Sequence, residues 1–407
     1  MTIFLLVIIY LAFISLGLPD SLLGAAWPVM QLDYGAPLET AGFLFMTIAG
    51  GTIVSSLLSG RLLKRFGTGN VTFVSVLMTA CALLGFYFAP SIFWLVVCAI
   101  PLGLGAGAVD AGLNNYVATN YKAHHMSWLH CFWGVGASLG PIIMASFISG
   151  ENTWRNGYLV ISCIQFALVI ILLLTLPLWG RVKNNSNLSV SEGIADSEGV
   201  TPDEDIKDIK PLKIRGVKLA LVAFLFYCGV EATVGLWGSS FLVNVKGISA
   251  ATAAGWVSFY YVGITVGRLI TGFITFKTTN QTLIRAGQII ALTGAVILFL
   301  PLPSAFSLAG FIIVGLGLAP IFPCMLHETP ARFGKTHSQT IMGYQMAIAY
   351  TGTTFIPPLL GFMASHLTLG IFPVCIVVFV AAMLLSSEKL NDLLKKKVSL
   401  KSNSTVM

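Results

Sequence analysis

GLPDSLLGAAW at Gly17–Trp27 and GVEATVGLW at Gly229–Trp237 are two versions of one pattern. Both are apolar, and each carries a single carboxylate four residues before a glycine: Asp20 before Gly24, Glu231 before Gly235. The copies lie 211 residues apart (231 minus 20). Other places repeat in the same order. Gly60 answers Gly272 and Gly103 (GLGAGAVD) answers Gly315 (GLGLAPIF), both at 212, and Gly136 (GASLGP) answers Gly352 (GTTFIPP) at 216. Four matched places in one order describe a chain built as two related halves.

Around these anchors lie twelve apolar segments, near 2–30, 38–62, 70–89, 92–120, 126–149, 157–180, 217–244, 251–276, 282–302, 305–328, 337–365 and 369–387. A bilayer-crossing helix needs roughly 20 apolar residues, so 407 residues hold twelve with short connections. Composition agrees: 56% of residues are hydrophobic and 10% charged, against about a quarter charged in soluble domains. Mean hydropathy is +0.87. The fold class read here is an all-α polytopic membrane protein with twelve transmembrane helices in two six-helix halves, 1–180 and 217–387. A polar linker, 181–216, separates them, and a basic tail, 388–407, follows. The first segment lacks a basic leader and a clear cleavage site, so it reads as a retained spanning helix. Seven cysteines, an odd number with no CxxC pair, read as packing thiols.

The net charge of +7 is explained by where the charges sit. With a cytoplasmic N-terminus, 20 of the 23 Lys and Arg residues fall on the cytoplasmic side, as the positive-inside rule requires. Arg155 and Lys246 fall outside, and Arg268 lies within a helix. A nucleic-acid partner is therefore unnecessary. Both termini and the linker are expected in the cytoplasm, in a multi-pass protein of a bacterial plasma membrane. His124 and His125 are expected in a solvated loop.

A carboxylate inside a membrane helix costs roughly 2.5–3.5 kcal/mol on insertion scales, so it reads as a functional candidate by default. Asp20, Asp110 and Glu231 are the three, and a structural contact between helices is the competing reading for each. Gly103, Gly107, Asp110 and Asn114 share one helix face, where the glycines permit close approach. Asp20, Gly24 and Trp27 share another. Arg268 is the one basic residue in a helix core, with Glu231 or Asp110 as candidate partner for a gating ion pair. Candidate substrate contacts are Asp20, Trp27, Asn114, His130, Trp133, Glu231, Trp237, Tyr261 and Gln345, and Gln165 and Tyr344 are weaker cavity candidates. GVGASLG at Gly134–Gly140 imitates a nucleotide loop but lies inside a spanning segment without a preceding strand. There is no Walker A run, metal-ligand set or catalytic triad, so neither an enzyme nor a cofactor is expected.

These stretches, with LHCFWGVGASLGP, TWRNGYL and VGRLITG, make the chain resemble the major facilitator superfamily, and within it the fucose permease-like sugar:proton symporters. Resemblance covers roughly residues 2–387. It implies proton-coupled sugar uptake, with Asp20 and Asp110 at the family's acidic positions; the fucose permease carries a glutamate where Asp110 stands. After segment two the superfamily's loop pattern is kept at Gly60, Arg65 and Gly67, but Lys64 replaces its aspartate, so gating contacts there must differ. The expected function is a secondary transporter working by alternating access. Asp110, Asp20 and Glu231 are the proton-coupling candidates, and Arg268, Gly60, Arg65 and Gly67 the gating candidates. The expected partners are a small solute, protons and lipid, with the chain a monomer. A proton-driven exporter of drugs or hydrophobic metabolites is the alternative, and a non-transporting receptor ranks last.

Overall fold

The computed structural model describes residues 2–121, 123–149, 153–190, 211–275 and 277–404. Lipid offers the backbone no hydrogen bonds, so each crossing is helical. The spans, numbered in chain order, are Phe4–Tyr34, Thr40–Phe66, Thr68–Phe88, Ile92–Val117, Trp128–Ile148 and Trp154–Trp179 in the first half. The second half holds Val217–Asn244, Ala250–Ile274, Asn280–Phe299, Ala305–His327, Thr340–His366 and Ile371–Lys395. All twelve expected segments are present. Residues 191–210, the middle of the expected linker, lie outside the described residues, as do Lys122, Lys207 and Lys210 of the charge census. The helix of span 6 runs on to Val190, and that of span 12 to Ser404.

Span 1 is two helices, Thr2–Asp20 and Leu22–Tyr34, broken at Ser21. Pro19 has no N–H to offer the carbonyl four residues earlier. That carbonyl, of Ser15, is served instead by Gln165 Nε2 at 2.7 Å, while Thr79 Oγ1 donates to Gln165 Oε1 at 2.8 Å. Gln165 is thus a buried structural clip between spans 1, 3 and 6. Span 10 breaks at Ala319 and Pro320, for the same want of a donor. The loop expected around His125 is instead the first turn of the helix Ala123–Ile148, where His125 Nδ1 is 2.8 Å from Tyr10 Oη. Tyr10 sits on span 1, so this histidine ties two helices together.

The duplication is visible in the packing. A Cβ on Gly103 would meet the Ile48 carbonyl oxygen at 2.0 Å, and one on Gly315 the Tyr260 oxygen at 2.1 Å. Both members of each contact differ by 212. Gly136 lies against Ile14 O and Gly352 against Leu225 O in the same way. Each half therefore holds its helices by bare backbone contacts at matching places.

The halves meet unevenly from one end to the other. One apolar core joins residues of both halves, such as Leu22–Met30 and Phe224–Leu242, toward the short-loop end. Toward the linker end two separate cores take over, one around Leu5, Leu113 and Trp179 and one around Val217, Ile341 and Leu390. Gly24 would strike Gly235 O at 2.1 Å and Gly42 the Pro358 Cα at 2.8 Å, whereas Gly60, Gly272 and Gly343 meet nothing within 4 Å. The halves are in backbone contact at the loop-end glycines, while these linker-end glycines have no neighbour so close.

A candidate site at the seam between the halves

Asp20 sits at the last residue of the first helix of span 1, beside the Ser21 break. Its Oδ2 accepts a hydrogen bond of 2.8 Å from Trp133 Nε1 on span 5. The same indole carries the Arg268 guanidinium of span 8 over its face, 5.3 Å from the ring centroid. Its edge meets Tyr261 at 6.5 Å and 75°. Arg268 Nη2 is 3.2 Å from Glu231 Oε1 on span 7. Tyr260 Oη donates to the Glu231 backbone carbonyl at 3.1 Å. A chain of contacts from Asp20 through Trp133 and Arg268 to Glu231 therefore crosses from one half to the other. Of the two partners expected for Arg268, the structure pairs it with Glu231. Tyr227, one turn before Glu231, is fully buried beside this pair.

Close packing holds the frame. A Cβ on Gly17 would meet the Trp133 carbonyl at 2.1 Å, and one on Gly134 would meet Thr265 Oγ1 at 2.2 Å. His130, one turn before Trp133, is edge-on to Phe13 at 6.1 Å and feels the Arg268 charge.

Asp110 stands apart from this chain. Its Oδ1 accepts from Asn114 Nδ2 at 2.8 Å. It lies within electrostatic reach of Asp20 and of Tyr350 on span 11. The glycine stripe beneath it packs on span 2, where Thr52 and Ser56 hydroxyls donate to Gly103 O and Gly107 O at 3.2 Å each.

Other sequence candidates lie outside the cluster. Trp27 is wholly buried in the apolar core at the loop end. Trp237 is buried there too, donating to Pro357 O at 2.8 Å. Gln345 Oε1 accepts from Thr329 Oγ1 at 2.9 Å. Gly60 is in open space, Gly67 has φ +78, and Arg65 lies 5.3 Å over the Phe66 ring. Tyr344 is only half-buried. Tyr350, Tyr227 and Ser56 were not among the candidates. The repeat held a signal for two of them: Ser56 plus 212 is Arg268, and Gly134 plus 216 is Tyr350.

The family model described as Major Facilitator Superfamily matches residues 9–357. The chain belongs to that superfamily. It is 25% identical to the glucose/mannose transporter GlcP of Bacillus subtilis over 91% of this chain and 92% of that one. A bacterial homolog of the human lysosomal transporter Spinster, inward-facing and unoccupied, matches with a TM-score of 0.74 at 14% identity, covering 96% of this chain and 97% of that one. The xylose transporter XylE from E. coli, partially occluded and inward-open, matches with a TM-score of 0.70 at 13% identity, over 94% and 96% of the two chains. This superfamily member is thus a membrane transporter of small molecules and not an enzyme.

Proposed function

We propose that the chain imports a sugar or similar small polar solute together with protons, by alternating access, with both termini and the linker in the cytoplasm. One observation carries this reading. Two carboxylates, a guanidinium and an indole, all within spans, form a continuous chain across the seam. Ionisable groups within membrane spans, on a seam between moving halves, are where a transporter places its coupling and substrate groups. The carboxylates offer acceptors for hydroxyl groups, and Trp133 and Tyr261 offer faces for an apolar ring surface. Likeness to a glucose/mannose transporter supports the sugar class. Asp110, alone with an amide partner, serves as the proton carrier in this scheme, and Asp20 acts with it. The chain works as a monomer, because each monomer holds a complete seam.

Reconstituted protein and labelled D-glucose provide the test. Acidifying the outer side drives label inward for an importer. Asp110→Asn abolishes that accumulation while exchange of preloaded sugar persists. Label driven outward by the same gradient would instead identify an exporter, and binding without flux would identify a receptor.

A further inference from the structure

We propose that Trp133 is a positioning residue that transmits the charge state of Asp20 to Arg268. The proposal rests on the proton-coupled reading above and extends it by naming the wire between the halves. Trp133 touches both halves through different parts of one ring. Its Nε1 bonds Asp20 at 2.8 Å, and its π face holds Arg268 at 5.3 Å. The backbone beneath is pinned, since Gly17 packs on the Trp133 carbonyl and the next residue, Gly134, packs on Thr265. Only the ring is left to respond.

The physics runs in one direction. An indole that donates to an anion is polarised, and its face becomes a better seat for a cation. Protonation of Asp20 turns a charge-assisted bond into a weaker neutral one. The face then holds Arg268 less firmly, and the guanidinium falls to Glu231 and the neighbouring Tyr227. The ionisable groups around the wire are Asp110 on span 4, His130 and Cys131 on span 5, Tyr227, Cys228 and Glu231 on span 7, and Tyr260 and Tyr261 with Arg268 on span 8. Asp20 is the one among them that the Trp133 N–H contacts. The symmetry-related seam has no equivalent, because Ala349 stands where Trp133 would (133 plus 216) and Ser56 where Arg268 would.

The test reads Trp133 directly, in the purified full-length protein with no solute. The pH dependence of tryptophan fluorescence in wild type, minus that of Trp133→Phe, isolates its signal. A single pH-dependent step is expected in wild type and is lost in Asp20→Asn. Comparing wild type with Asp20→Asn alone gives the same answer if Trp133→Phe does not fold. A flat wild-type signal, or a step that survives in Asp20→Asn, overturns the proposal. In proteoliposomes, Trp133→Phe keeps the aromatic face but loses the N–H that favours an ionised carboxylate. The midpoint of its proton-driven D-glucose uptake moves up by about one pH unit, and the substitution adds no shift in an Asp20→Asn background. A shift in that background would mean Trp133 acts elsewhere. Because the fluorescence step needs no transported solute, failure of D-glucose to cross would count against the function proposed above and leave this proposal standing.

Discussion

Two of the seams between the halves are equivalent in position by the repeat. Span 5 meets span 8 on one side; span 11 meets span 2 on the other. The first seam carries Trp133 against Arg268. The second carries Tyr350 reaching Ser56, with Asp110 nearby. The scaffold contacts match at intervals of 211 to 216 residues, down to individual carbonyls, yet the polar groups do not. Backbone packing repeats because it uses only glycine and the helix surface. Chemistry does not repeat, because a guanidinium stands at one seam and a hydroxyl at the matching place of the other. A duplicated frame can therefore be directional in what it couples.

Removing Arg268 should break this contrast most strongly. Arg268→Ala strands Glu231 without its cation. A fully buried pair would lose about 3–5 kcal/mol, but Glu231 keeps 22% exposure, so about 2 kcal/mol of stability should go, seen as a lower unfolding temperature. Arg268→Ala with Glu231→Ala should recover much of it. Ser56→Ala, at the equivalent place, should cost under about 1 kcal/mol. Equal losses at the two positions would end the idea of unequal seams.

The matched glycines sharpen the other half of the contrast. Gly103→Ala and Gly315→Ala each drive a methyl into a carbonyl oxygen at 2.0 and 2.1 Å, so each should lose about 1–2 kcal/mol. The two losses should agree, because the contacts are copies. Gly60→Ala and Gly272→Ala point into open space and should be neutral or stabilising by up to about 1 kcal/mol, provided the protein rests in the state described here. A large loss at Gly60 would show that the linker end closes tightly at rest.

The outer ends differ as well, on a smaller scale. In the first half Arg155 pairs with Asp33 at 3.3 Å, lies 4.5 Å over Trp154 and donates to Ala89 O at 2.6 Å. The second half closes its outer end with Phe241 against Phe372, 5.0 Å apart. Arg155→Ala should cost about 1 kcal/mol, since both charges are partly in water. The smallest effect belongs to Arg285, whose guanidinium forks onto Glu388 at the exposed linker end, with Nε 2.7 Å from Oε1. Arg285→Ala should lower the unfolding temperature least of these changes, and less still in high salt.

Much of the frame was legible in the sequence, because twelve apolar runs and the glycine offsets each report one physical need. Lipid demands helices, and close crossings demand glycine. The breaks in spans 1 and 10 were not read, although Pro19 and Pro320 were in plain view. A proline marks a lost donor but does not say whether a clip such as Gln165 will serve the freed carbonyl. Within the site, Asp20, Glu231 and Arg268 stood out because charge is rare in lipid. The aromatic beside Asp20 was read as Trp27, one face of the same helix. In the structure it is Trp133, from span 5. Same-helix periodicity sees only neighbours along one rod, and the decisive contact comes from another. His125 was misread for a related reason: polarity alone suggested a loop, while its partner Tyr10 lay 115 residues away.

The interruption at Ser21 gives span 1 a mechanical character that no uninterrupted span shares. It is two stiff rods, of 19 and 13 residues, or about 28 and 20 Å at 1.5 Å per residue, articulated at one residue. The shorter rod bears the Gly24 contact with the opposite half and Asp33 of the outer Arg155 cluster. The longer rod ends in Asp20. The carboxylate proposed to couple protons thus sits at the elbow, where a small change in local force would turn into the widest sweep at the far tips.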